Sequence, residues 1–422
     1  MEEFFLNIRR FNLWDGNQPN VGYWRADYLD AIMKFCHNRL VKVLVGQRRS
    51  GKSFILRQIA QALLQQGVLP QNMLYINKEF LDFDFLQNYK DLDALVKFYK
   101  SNLQPKGKVF LFIDEIQNIE QWERFVNSYA QDFSEEYEVF ISGSNSKMLS
   151  GELATLLSGR YVSFEIQPFS FVEFVGVTNL PLNKDSFLKY LQGGGLPELF
   201  MLPNEETKRH YVSSIKDTVL LRDIIQRHAI KDPSLLEDLF VYIINNAYNL
   251  LSINNIANYL KSKGRKTTYD TVANYIGYIE DAFLVHRAVR YDIRGKETLG
   301  GSAKFYANDL SYKNYLYSGF GYGLGYLLEN LVYLELRRKG YEVYAGVIPG
   351  KEIDFVAKQA DKTIYVQVAY LLHDETTLER EYSALDAVSD HYPKMVVSLD
   401  EFQLPLKDGI QHVRAWELGE IL

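Results

Sequence analysis

The sequence predicts an α/β protein of several domains: alternating strands and helices first, a mainly helical middle, and a second, smaller α/β region at the end. Three observations carry this. Buried-type β runs alternate with helical patterns up to about Phe174; helical patterns then lead into a basic stretch; and from Gly321 the order is helix, three strands, helix and strand.

At 422 residues the chain exceeds one ordinary hydrophobic core. With 47% hydrophobic and 24% charged residues it has a globular composition, so each part can bury a core of its own. No apolar run approaches the ~20 residues of a membrane span, and "MEEFFLNIRR" lacks the charge order and cleavage site of a secretory leader. A cytoplasmic protein without membrane contact is expected. The single cysteine, Cys36, excludes an intrachain disulfide and a thiolate metal cluster. A net charge of −6 gives no global sign of nucleic-acid binding, but Lys261 to Lys304 holds nine Lys or Arg against five Asp or Glu.

The strongest motif is "LVKVLVGQRRSGKSFILRQIAQALLQQG", Leu40 to Gly67, where a β run meets a glycine-bounded loop and then a helical pattern. Gly46, Gly51, Lys52 and Ser53 fit G-x-x-x-x-G-K-S/T, with Gln47, Arg48, Arg49 and Ser50 between them. Such a loop turns backbone N–H groups toward phosphate oxygens, and the helix adds its positive dipole end. Lys52 is expected on the β and γ phosphates and Ser53 on Mg²⁺. "KVFLFIDEIQNIEQWE" then gives a buried strand ending in Asp114 and Glu115. The first acid is expected to hold Mg²⁺ and the second to polarise the attacking water as a general base.

A third β run, in "EEYEVFISGSNSKML", closes on Gly143, Ser144, Asn145 and Ser146. Either Ser144 or Asn145 can sense a γ phosphate from there, or the segment is a plain turn. In "LLSGRYVSFEIQPFSFVEF", Arg160 is a candidate arginine finger, which would need a homo-oligomer, or a surface arginine paired with an acid.

In the order "GQRRSGKS", "FIDEIQNIEQWE", "GSNSKML", "SGRYVSFEIQPFSFVEF", "GGGLPEL" and "FYANDLSY", the chain resembles the AAA-type ATPases of bacteria and archaea whose P-loop domain precedes a C-terminal domain of unknown function. The resemblance covers most of the chain. It implies an AAA+-like P-loop core with a central parallel sheet at 1–175 and ATP as the nucleotide, a helical lid at 176–246, a winged helix-turn-helix at 247–318 and a nuclease-like domain at 319–422.

The residues beyond the core are consistent with that order. "YLQGGGLPELF", with Gly193 to Gly195 before Pro197, is a hinge or an interhelical loop. Ser252 caps a helix carrying Ile253, Ile256, Ala257 and Leu260, and Thr268 starts a second with Val272, Tyr275, Ile276 and Ile279 on one face. Two strands around "RGKETLGG" would form the wing, and Lys261, Lys263, Arg265, Lys266, Arg290, Arg294 and Lys296 would supply contacts to DNA phosphates. Winged helices also bind proteins, so a nucleotide-dependent switch with protein partners is the alternative.

The last region resembles restriction-endonuclease-like folds of the PD-(D/E)XK superfamily. That resemblance places Glu329 as the helix acid and Asp354 as the strand acid, while Gln367 and Ala369 of "IYVQVAY" stand where Glu and Lys would be. A degenerate site without cutting activity is expected, against a weaker reading as an ATP-dependent nuclease. Arg380 beside Glu381 is either a relocated cation or an ordinary ion pair. Restoring Gln367→Glu with Ala369→Lys is expected to recover metal binding.

Overall fold

The computed structural model describes residues 2–144, 157, 159–317 and 323–422. They form two compact units, 1–167 and 168–422.

The first unit runs α1 (Glu2–Ile8), α2 (Ala26–Met33), β1 (Val41–Val45), α3 (Lys52–Gln65), β2 (Met73–Asn77), α4 (Tyr89–Leu103), β3 (Val109–Asp114), α5 (Trp122–Ala130), β4 (Tyr137–Gly143) and β5 (Tyr161–Glu165). All five strands are parallel, in the order β2-β3-β4-β1-β5, so β4 is inserted between β3 and β1. β1 to β4 are buried throughout, as strands covered on both faces must be. Ile55, Leu56, Ile59 and Leu63 of α3 bury one helical face against Leu44, Phe112 and Phe140. Lys42, within β1, is matched by Glu138 of β4 at 2.6 Å, with both side chains fully buried. α4 starts at a capping box in which Asn88 accepts from Lys90 N–H at 2.9 Å and Asp91 accepts from Asn88 N–H at 3.1 Å.

The second unit begins with α6 (Phe171–Thr178), α7 (Lys184–Gly193), α8 (Glu205–Thr218) and α9 (Pro233–Asn245), with a π-helical segment at Val219–Gln226. There follow β6 (Leu251–Ser252), α10 (Ile253–Ser262), α11 (Tyr269–Asp281), β7 (Val285–Asp292) and β8 (Glu297–Ala307). The expected caps form: Ser252 accepts from Asn255 N–H and Thr268 from Thr271 N–H, each at 3.2 Å. The chain ends with α12 (Leu324–Arg338), β9 (Glu342–Ile348), β10 (Lys351–Gln359), β11 (Lys362–Val368), α13 (Glu375–Asp386), β12 (Lys394–Ser398), β13 (Ile410–Arg414) and α14 (Leu418–Ile421).

β6 to β13 make one eight-stranded sheet, ordered β13-β12-β11-β10-β9-β7-β8-β6. The hairpin β7–β8 therefore does not stand free. β7 lies parallel to β9 through Arg290↔Ala345, Tyr291↔Gly346 and Asp292↔Val347. The segments read from sequence as lid, winged helix and nuclease-like domain also share cores. One joins Leu199, Val212 and Leu239 to Ile256, Val272 and Phe305; another joins Phe171, Phe187 and Tyr190 to Leu328, Val366 and Trp416.

The three glycines of "GGGLPEL" make a close approach rather than a loose break. A Cβ on Gly195 would stand 2.3 Å from the Phe169 carbonyl oxygen. The Gly195 N–H donates to buried Asp309 at 2.7 Å, and Gly194, at φ +80°, would set a Cβ 2.3 Å from the other Asp309 oxygen. Asp309 of "FYANDLSY" thus explains why two distant motifs belong together.

Candidate functional site

The carboxyl edge of the parallel sheet collects the nucleotide-site candidates, because β1, β3 and β4 all end there. Gly46 leaves β1 at φ +147°, where a Cβ would stand 2.2 Å from the Ile166 carbonyl oxygen, and Gly51 caps α3 in the left-handed region at φ +101°. Between them Gln47 and Ser50 are buried, Arg49 has φ +68°, and Arg48 pairs with Glu79. The Lys52 ammonium donates to the carbonyls of Gly46 and Gln47, both at 2.9 Å. The Ser50 hydroxyl is buried without a hydrogen-bond partner among the described residues. A glycine-bounded loop at a helix N-terminus has the shape and chemistry to receive an anion.

Asp114 is fully buried and accepts hydrogen bonds at both oxygens. One oxygen accepts from the Ser142 hydroxyl; the other accepts from the Tyr75 hydroxyl at 2.9 Å and the Asn77 amide at 3.0 Å. Burial first, then the neighbouring Glu115 charge, raises its pKa above the usual carboxylate value, against the Ser142, Ser53 and Tyr75 hydrogen bonds. Ser53 and Asp114 are therefore already in contact, a hydroxyl and a carboxylate that suit the hard Mg²⁺ ion. Glu115 is held by its backbone at φ +55°, where its N–H donates to Ser142 Oγ at 3.1 Å. Its carboxylate accepts from the Gln117 amide, which also lies 3.5 Å from the Ser144 hydroxyl.

Asn145 lies outside the described residues. Arg160 is exposed and just precedes β5, its carbonyl accepting from Val41 N–H at 2.9 Å. It stands at the amino edge of the sheet, roughly 16 Å of strand away from the loop of its own chain.

Sequence reasoning passed over several residues. Arg25, buried, donates to the carbonyls of Ser50 at 3.0 Å and Gln167 at 2.9 Å. Gln58 of α3 straps the preceding segment down by donating to the carbonyls of Val21 at 2.7 Å and Tyr23 at 2.6 Å. Tyr75, Asn77 and Ser142 position Asp114, and Gln117 positions Glu115. Only Asn77 and Ser142, polar residues ending buried β runs, left a signal to read.

In the second unit, Glu329, Asp354 and Gln367 do converge. The cation among them is neither Arg380 nor anything at 369, but Lys304 of β8. Its ammonium lies 3.1 Å from Glu329, 2.8 Å from Glu352 and 3.7 Å from Asp354. Tyr306, two residues on, donates to the same Glu329 oxygen at 2.7 Å. Burial and the Glu329 charge raise the Asp354 pKa above the ordinary carboxylate value, against Lys304 and the Val368 N–H. Gln367 spends its carbonyl oxygen on the Asp354 N–H at 3.2 Å and its amide on Glu381 at 2.7 Å. Arg380 pairs with Glu381 at 2.6 Å from a largely exposed position.

The parallel sheet with its inserted fourth strand, the glycine loop and the Asp114–Glu115 strand tip define an AAA-type P-loop ATPase domain. A family model described as an AAA domain matches residues 38–175, and one described as a domain of unknown function (DUF8612) matches 184–322. An uncharacterized protein of Haemophilus influenzae is 36% identical over 391 residues, spanning 92% of this chain and 96% of its own length. The uncharacterized protein MJ1544 of Methanocaldococcus jannaschii is 34% identical over 384 residues, 86% of this chain and 81% of its own. The chain belongs to the same family as these two proteins, and within it carries the AAA domain. Among solved structures, a Walker-type ATPase of Pyrococcus abyssi matches 70% of this chain and 96% of its own with a TM-score of 0.48 and 16% identity. No helix among the described residues is long and apolar enough to cross a membrane.

Proposed function

We propose that the protein is a Mg²⁺-dependent ATPase that acts on DNA, with residues 247–318 as a winged helix that binds DNA and 319–422 as a nuclease-like domain that does not cut. The observation that carries the DNA reading is the pair α10–α11 followed by the β7–β8 hairpin, with Lys261, Lys263 and Lys266 exposed around the inter-helix turn and Arg294 and Lys296 exposed at the hairpin tip. Five exposed cations on these two loops suit a polyanion that carries one phosphate per 3.4 Å of helix axis on each strand. Arg265 contributes less, because it is paired with Asp238 at 2.6 Å.

At the nucleotide site, Lys52 would hold the β and γ phosphates, and Ser53 and Asp114 would hold Mg²⁺, which when bound neutralises charge on the phosphate oxygens. Glu115 would orient and polarise the attacking water once Gln117 releases it. The buried Ser50 hydroxyl supports this reading, since a phosphate oxygen is the partner it lacks.

The test is ATP turnover with and without single-stranded, duplex and branched DNA across a salt series. Stimulation that falls steeply with salt is expected, and a variant with Lys261, Lys263 and Lys266 changed to Ala should lower the log–log salt slope of binding by roughly 2 to 3. Turnover indifferent to every DNA would instead favour a nucleotide switch with protein partners. The exposed Asp270 and Asn274 on the outer face of α11 favour that second reading.

A further inference from the structure

Strand β8 is two-sided in an unusual way. Ala303, Phe305 and Ala307 face the helical core of the second unit, while Lys304 and Tyr306 face α12 and β10. The alternation delivers a lysine, from outside the segment read as nuclease-like, to its acid pair. The ammonium, with a side chain only 8% exposed, has three protons and three carboxylates around it, Glu329, Glu352 and Asp354. Burial opposes its charge, but Glu329, Asp354 and Glu352 outweigh burial and raise its pKa above the ordinary lysine value.

A hard divalent cation bound by Glu329 and Asp354 would have to sit between their oxygens. That place is taken. We propose that Lys304 is a resident counter-ion standing where a divalent cation would bind, so that this acid cluster ties the β7–β8 hairpin to the terminal α/β layer instead of loading metal. The surroundings agree with a site converted to structure. Gln367 turns its carbonyl oxygen to the Asp354 N–H, and Ala369 is packed with Ile353, Val356 and Tyr382 in an apolar cluster. Among the described residues, no three His, Cys, Asp or Glu are grouped to hold a metal ion.

The expectation for Gln367→Glu with Ala369→Lys changes accordingly. The new lysine would enter an apolar cluster, and Lys304 would still occupy the space between the acids. Removing Lys304 is the change that opens the site.

The inference rests on the nuclease-like reading of 319–422, and the experiment separates the two. Full-length, nucleotide-free protein is titrated with Mn²⁺, read by electron paramagnetic resonance, for wild type, Asp354→Asn, Lys304→Ala and Lys304→Ala with Asp354→Asn. Lys304→Ala should gain one Mn²⁺ site at least about tenfold tighter than any in wild type, and the added Asp354→Asn should remove it. A wild-type site abolished by Asp354→Asn, or a folded Lys304→Ala protein that gains none, overturns the proposal. Should Lys304→Ala not fold, Lys304→Met is compared with Lys304→Met plus Glu329→Gln by thermal melting. The single change should lower Tm by about 5–10 °C, and the second should recover part of the loss by removing the stranded anion. A single variant as stable as wild type overturns the proposal. Metal-dependent DNA cutting by wild type would refute the non-cutting reading itself, whatever the Mn²⁺ titration of Lys304→Ala shows.

Discussion

The Arg25 guanidinium joins two pieces of the first unit that are far apart in sequence, donating to the carbonyl of Ser50 inside the phosphate loop at 3.0 Å and to that of Gln167 after β5 at 2.9 Å. It also lies over the Tyr28 ring at 4.5 Å. Arg25→Ala should cost about 2–4 kcal/mol of stability by stranding two buried carbonyls and removing the stem that packs over them. Denaturant unfolding reads that loss, and ATP titration should read a weaker nucleotide affinity, because the Ser50 carbonyl that Arg25 holds belongs to the candidate phosphate loop. An unaltered nucleotide affinity would mean that the loop holds its shape without Arg25.

Binding and hydrolysis should separate at the nucleotide site. Lys52→Ala should weaken ATP binding and lower turnover by roughly 10²-fold or more. Glu115→Gln keeps the fold and the phosphate loop, and should bind ATP while losing roughly 10²-fold in turnover, because an amide cannot accept the proton of the attacking water. Equilibrium binding beside steady-state hydrolysis distinguishes the two, and normal hydrolysis by Lys52→Ala would remove the basis of the functional reading.

Gly195→Ala tests the glycine motif. Its Cβ would stand 2.3 Å from the Phe169 carbonyl oxygen, and its N–H would be pulled from Asp309. A loss of about 2–4 kcal/mol is expected, seen as a lower denaturant midpoint. A hinge would tolerate alanine, so an unchanged midpoint would restore that reading of the three glycines.

His412 predicts a pH dependence. It is fully buried, with Nδ1 accepting from Leu404 N–H at 3.0 Å and Nε2 lying 2.8 Å from the Ser398 hydroxyl. Burial holds its pKa below the ordinary 6.5. The unfolded chain therefore binds more protons than the folded one as pH falls below about 6.5, so the contribution is complete above that value and is lost as pH drops through the folded pKa. His412→Gln should be less stable than wild type near pH 8, and the gap should narrow toward pH 5. A gap independent of pH would show that the proton is not involved.

The strand, loop and helix of the candidate nucleotide site were legible because their signals are local: Gly46, Gly51, Lys52 and Ser53 fall within eight residues, and the strand before and helix after them follow from apolar periodicity. Asp114 and Glu115 were legible for the same reason. The residues that hold those acids were not, because Tyr75, Asn77 and Ser142 meet Asp114 only through the order β2-β3-β4, which pairs strands separated by whole helices.

Local pattern was enough for the class of engine, for the positions of its candidate phosphate loop and strand-tip acids, and for the caps of α10 and α11. The rest depends on strand pairings between distant segments. The hairpin β7–β8 is a working part of the terminal sheet because β7 pairs with β9, and Lys304 fills the acid cluster because the period-two alternation of β8 points it there. Nothing within 50 residues of Asp354 in the direction of Ala369 announces that lysine; it arrives from the other direction along the chain, through a strand pairing that no local pattern encodes.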